Sequence, residues 1–232
     1  MYQINDGGMV FYDRFNEPLS NVVFPVGIQK IMFGLYFNQD VSKLPNSLTH
    51  LTFGEYFNQD VSKLPNSITH LTFGLYFNQN VSNLPNSITH LTFGFYFNQD
   101  VSKLPNSLTH LTFCIDFNQD VSKLPNSLTH LTFGMYFNQD VSKLPNSLTH
   151  LTFDEYFNQD VSYLPKSITN LIFSRWNYSN FNHNLNPYLY HLTNFDIKDS
   201  HKHKSLMLSR CRVNRHNGAI RNDKLIDLLL KN

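Results

Sequence analysis

The string FNQDVSKLPNSLTHLTFGEY recurs, with few changes and no slip in register, as seven units of 20 residues from Phe37 to Trp176. A period this strict rules out one globular core built from dissimilar elements. It calls for an array in which each unit packs on its neighbours. The phenylalanine closing each LTF marks the period: Phe33, Phe53, Phe73, Phe93, Phe113, Phe133, Phe153 and Phe173 lie 20 apart, and Phe11 and Phe195 lie 22 outside that set. Met9-Val10-Phe11 and Ile31-Met32-Phe33 stand in for Leu-Thr-Phe at the front, and His191–Phe195 is a degenerate copy at the back. Ten strand-like segments are therefore expected.

Within a unit, Leu48, Leu51 and Phe53 fit the L-x-x-L-x-L spacing of leucine-rich repeats. Where that template has Asn or Cys this chain has Tyr56, with Asn58 two further on. The turn after the strand should thus differ from the ordinary leucine-rich one. Strand alternation sends Leu51 and Phe53 inward and His50, Thr52 and Gly54 outward, and Tyr56, Phe57, Val61 and Leu64 are expected to complete the interior. Pro65 and the short span from Phe57 to Ser67 leave no room for a convex helix, so extended or 3₁₀ structure is expected there. Identical units running one way pair in parallel and stack like residues into ladders, so Asn58 and Gln59 should satisfy backbone groups or one another. The expected fold is mainly β: a right-handed, leucine-rich-repeat-like solenoid with a parallel sheet of about ten short strands, no full helices on its convex side, and a small C-terminal cap.

The same residues resemble the FNIP repeat, known from social amoebae and the giant viruses that infect amoebae. Phe15-Asn16-Glu17-Pro18 opens a unit of the family's usual length, and LPNSLTHLTFG reproduces the family's second half. In the central units FNQD replaces the Pro form and two residues are missing, which tightens the convex side. Family members often carry an F-box that recruits a ubiquitin ligase, but only residues 1–14 precede the first Phe-Asn, and an F-box is not expected there. The resemblance implies a protein-interaction scaffold. Residues 1–14 would form an N-terminal cap and first strand, 15–195 the repeats, and 196–232 a basic C-terminal cap. In that last segment Ser205–Val213 suits an added strand, and Asn222–Lys231 a short helix N-capped by Asn222 with Leu225, Ile226, Leu228 and Leu229 on one face. Such a cap would cover the exposed edge of the last strand.

Charge divides along the same boundary. Residues through Asp196 carry 9 Lys and Arg against 14 Asp and Glu, a net −5, and the remainder carries 9 against 3, a net +6. An overall charge of +1 argues against a dedicated polynucleotide binder, leaving nucleic-acid contact through the tail as a minor alternative. Cys114 and Cys211 are the only cysteines, so no disulfide framework or Cys-based zinc site is encoded. With no export signal or long apolar run, an intracellular address in the host cytoplasm and no membrane contact are expected.

No nucleophile elbow, phosphate-cradling loop or isolated carboxylate pair is present, and repetition works against the asymmetric convergence that catalysis needs. A non-enzymatic chain without cofactor is expected. Asp and Lys, as in Asp60 and Lys63, change together to Asn80 and Asn83, which reads as charge balance across a turn. His50, His70, His90, His110, His130 and His150 form a row ending at Asn170. Metal binding by that row is a second alternative, weakened by the absence of a carboxylate on the strand to orient a ligand. The most variable position lies two after each LTF phenylalanine: Leu35, Glu55, Leu75, Phe95, Ile115, Met135, Glu155 and Arg175. Charged residues at equivalent sites mean that the interior does not dictate an apolar choice. Leu75, Phe95, Ile115 and Met135 therefore read as a contiguous apolar anchor for a protein partner, with His90, His110 and His130 as its polar border.

Overall fold

The computed structural model describes residues 2–5, 8–174 and 194–198. Eleven strands form one sheet in sequence order: β1 (Tyr2–Asn5), β2 (Gly8–Phe11), β3 (Lys30–Met32), β4 (His50–Thr52), β5 (His70–Thr72), β6 (His90–Thr92), β7 (His110–Thr112), β8 (His130–Thr132), β9 (His150–Phe153), β10 (Asn170–Ser174) and β11 (Asn194–Lys198). From β2 to β11 every pairing is parallel, so ten strands form the solenoid wall as the periodicity requires. β1 is additional and runs antiparallel to β2, pairing Tyr2 with Phe11. It occupies the sheet edge that β2 would otherwise leave open. The Asp6-Gly7 pair between two alternating segments is the sequence signal for it.

Register matches like with like: His50 pairs with His70, Leu51 with Leu71 and Thr52 with Thr72. At the far end the match is offset, because Leu171 pairs with Phe195 and Phe173 with Ile197. Aligning Phe195 with Phe173, as the LTF spacing suggests, is therefore corrected by two residues. The strand- and helix-forming patterns in 205–231, and Arg175, lie outside the described residues.

The coils close through three tight turns in place of a helix, except that the coil at Cys114 lacks the first of the three bonds. In the second unit Phe57 N–H donates to Gly54 O, Leu64 N–H to Val61 O and Ile68 N–H to Pro65 O. The i→i+3 bonds that would grow into a helix stop at Pro65, which has no N–H to donate. The first, 22-residue unit holds a short 3₁₀ helix at Leu19–Asn21, and the described residues contain no α-helix. The 20-residue units keep the corresponding turn, as in Leu44 N–H to Val41 O, and lack the two residues Val23 and Phe24 that separate it from Pro25.

The core is a continuous column of phenylalanines. Phe53 stacks on Phe57 within its unit at 3.7 Å and on Phe73 of the next at 5.7 Å. Phe57 stacks on Phe77 at 6.0 Å. Leu48, Leu51, Val61 and Leu64 fill the rest of the coil, and no polar side chain is buried among the described residues. Each fully buried phenylalanine contributes about 1.5–3 kcal/mol through removal from water, so stability is spread evenly along the array. Tyr56 departs from expectation. The Gly54–Phe57 turn directs Phe57 inward and leaves Tyr56 at its corner, 42% exposed.

Candidate functional site

Three polar rows and one apolar row run along the solenoid. The asparagine row is structural. Asn58 Oδ1 accepts the Asn78 N–H at 2.9 Å and the Gln79 Nε2 at 3.1 Å, and Asn58 N–H donates to Asn38 Oδ1 at 2.9 Å. A backbone donor with no carbonyl opposite it is thereby satisfied in every unit. The aspartate row is also local. Asp60 accepts Ser62 N–H at 2.9 Å through Oδ1 and Ser62 Oγ at 2.7 Å through Oδ2. These two bonds, more than Lys63, hold its carboxyl below the usual value. Asn80 keeps the backbone bond, at 2.8 Å to Ser82 N–H. The joint change to Asn80 and Asn83 thus leaves the turn bond intact, and charge balance is secondary to it.

The six histidines lie half-buried on the outer sheet face with rings stacked at 4.1–4.3 Å and nearly parallel. Each Nδ1 is hydrogen-bonded to the preceding threonine Oγ1, as in Thr89 to His90 at 2.9 Å, which fixes the ring plane. Asn170 Nδ2 meets His150 Nε2 at the end of the row. Burial first, and neighbouring imidazoles second, hold the pKa of His90, His110 and His130 below the ordinary histidine value. In-plane lone pairs of face-to-face rings run side by side and do not converge, so adjacent histidines do not form a chelate. No group of three His, Cys, Asp or Glu suited to a metal occurs among the described residues.

Leu75, Phe95, Ile115 and Met135 are all half-buried and occupy the first corner of the turn that follows each strand. The bonds from Tyr96 N–H to Leu75 O at 3.1 Å, Asp116 N–H to Phe95 O at 3.0 Å and Tyr136 N–H to Ile115 O at 3.0 Å keep them in register. The row is contiguous, about 15 Å over three strand spacings. His90, His110 and His130 begin the strands that the row follows, five residues earlier, so that at most roughly 16 Å separates the two along the chain.

The immediate neighbour of the row is a tyrosine ladder that periodicity alone assigned to the interior. Tyr36, Tyr56, Tyr76 and Tyr96 stack at 5.0–5.2 Å, and Tyr136 and Tyr156 at 5.3 Å. All six are 39–48% exposed. Phe95 leans on Tyr96 at 4.8 Å, joining row and ladder into one aromatic and aliphatic edge. The signal for it was Asp116, a charged residue at the tyrosine position that a core site would not accept.

Against known proteins, the FNIP Repeat model matches residues 15–56, 40–76, 57–96, 77–115, 97–134 and 140–176. No curated protein matches the chain. Among solved structures it is similar to the crystal structure of CroV588, a giant-virus protein described as a novel circular LRR protein, at 39% sequence identity and a TM-score of 0.57. The match covers 81% of this chain and 36% of that one, so the chain spans about a third of the length of its structural relative. No helix of the described residues is long and apolar enough to cross a membrane. Stacked coils of this length, with the family model matching most of them in register, make the chain a member of the FNIP-repeat family.

Proposed function

We propose that the chain is a non-enzymatic protein-interaction scaffold working in the cytoplasm of an amoebal host, and that it holds its partner along the lateral edge formed by Leu75, Phe95, Ile115 and Met135. One observation carries this reading. In units otherwise nearly identical, the position free to vary is half-exposed, apolar over four consecutive units, and flanked by an exposed tyrosine ladder. Aromatic side chains set beside aliphatic ones on a rigid frame are what a partner's apolar anchors dock against, because little conformational entropy is lost on binding. The likeness to a leucine-rich-repeat protein supports the same reading. A partner broad enough to span the strand face would reach His90, His110 and His130 at its other border.

The test is affinity capture from an amoebal lysate with the parent chain and with a Phe95→Asp, Ile115→Asp double variant. The parent should retain a defined protein that neither nuclease nor chelator releases. The double variant should lose it while keeping its thermal transition. Capture by the variant equal to that of the parent would place the interface elsewhere, and unfolding of the variant would place the row in the core.

A further inference from the structure

The tyrosine ladder has one missing rung. Tyr76 stacks on Tyr96 at 5.1 Å and Tyr136 on Tyr156 at 5.3 Å, but the residue between Tyr96 and Tyr136 is Asp116. The bonds between neighbouring coils are kept there: Asp116 N–H donates to Phe95 O at 3.0 Å, and Tyr136 N–H to Ile115 O at 3.0 Å. The flanking rings therefore keep ladder positions with a gap of two strand spacings, roughly 10 Å, between them. Everywhere else that gap holds one more ring. Aspartate is shorter than tyrosine by most of a ring, so a half-buried carboxylate sits at the floor of a slot walled by two tyrosines.

We propose that this slot binds the guanidinium group of an arginine presented by a protein partner. A planar group about as thick as the absent ring fits between Tyr96 and Tyr136, and the negative faces of both rings attract a cation placed between them. The Asp116 carboxylate can accept paired N–H donors from the edge of the same group. A neutral ring would fill the space and leave Asp116 without a counter-charge, so charge complementarity selects a cation. Lysine carries its charge on a tetrahedral, strongly hydrated group that neither stacks nor forks, so the slot favours arginine. Phe95, leaning on Tyr96, offers an apolar flank for the methylene stem. The inference names the chemistry of one contact in the interface above and rests on that reading.

The experiment titrates N-acetyl-arginine amide into the full chain and follows tyrosine ring and probe methylene signals by NMR, with the citrulline and lysine analogues as controls. Saturable upfield shifts of the arginine methylenes are expected, together with perturbation of Tyr96 and Tyr136. Asp116→Tyr restores the residue the other units carry, should keep the thermal transition, and should weaken binding at least about tenfold. Asp116→Asn, with shape kept and charge removed, should weaken it severalfold. The assignment is overturned by absence of saturable binding, by equal binding of the citrulline or lysine analogue, or by unchanged binding to Asp116→Tyr. Lysate capture separates the two levels. If Asp116→Tyr loses the probe but retains the partner, the slot is not part of the interface and the scaffold reading survives; if the parent captures nothing, the scaffold reading fails whatever the probe does.

Discussion

Replacing Asn138 with alanine removes one oxygen that serves two donors. Asn138 Oδ1 accepts the N–H of Asn158 at 3.0 Å and the Nε2 of Gln159 at 3.0 Å, and both bonds are partly buried. The orientation of the amide is fixed by the backbone N–H, which can only donate, so Oδ1 must face it. Removing a hydrogen-bond acceptor costs about 1–3 kcal/mol when the stranded donor stays dry, and about 0.5–1.5 kcal/mol for an ordinary bond. Gln159 Nε2 has a second contact at Asn158 Oδ1, at 3.3 Å, and water reaches a half-buried site. The lower half of that range is therefore expected, about 1–2 kcal/mol. For a chain of this size that lowers the thermal midpoint by about 2–8 °C. Asn138→Asp keeps an acceptor oxygen facing the two donors and should recover more than half of the loss. Urea unfolding followed by circular dichroism, with the slope compared between variants, measures both effects. Equal destabilisation by Asp and Ala, or no loss with Ala, would show that the acceptor does not hold the coils together.

Replacing all six ladder histidines with asparagine, which the chain itself carries at Asn170, should flatten its stability between neutral and mildly acid pH. The folded pKa of His50, His90, His110 and His130 is lowered from 6.5, chiefly by burial and then by neighbouring histidines. Their neutral form is favoured in the fold, so full stability is present above 6.5 and is lost as pH falls through the folded pKa. Asp40, Asp60, Asp100, Asp120 and Asp140 are lowered from 3.8, so their contribution is lost only below that value and can be separated by urea unfolding at a series of pH values. A profile unchanged above pH 4 would remove the histidines from the account. Gly94→Ala should lower the unfolding free energy by about 1–2 kcal/mol, seen as a lower urea midpoint. A Cβ there would lie 1.8 Å from Gly74 O, yet Cys114 and Asp154 occupy equivalent positions, so the coil shifts to admit it and keeps its fold; an unaltered midpoint would refute this.

Much of this was readable because the period is strict. Leu51 and Phe53 fall inward, Asn58 binds the next coil, and Pro65 keeps the convex side free of helix, each for a reason visible in one unit. Tyr56 was misplaced because periodicity cannot say on which side of a turn a corner residue falls. The short Gly54–Phe57 turn decides that, and the single substitution at Asp116 was the clue to it. The last register was missed because Phe195 looks like the LTF phenylalanine, while strand pairing follows Asn170 opposite Asn194. That Leu75 to Met135 stay partly exposed was legible from the charged residues at equivalent positions, but the turn corner they occupy was not, since only the path of the chain after the strand sets it.

Like-on-like pairing gives the molecule an unusual kind of modularity. His70 meets His90 and His90 meets His110 through the same bonds, as do the leucines and threonines beside them. If one 20-residue unit were excised or duplicated, the residues meeting at the new junction would be those that met at the old one, and no seam would form. Length is thus a quantised property of this fold, adjustable in steps of about 4.8 Å without redesign of any contact. The same operation would slide an apolar stretch or the Asp116 gap along the edge in whole steps, changing the spacing of surface marks while the wall that carries them stays constant.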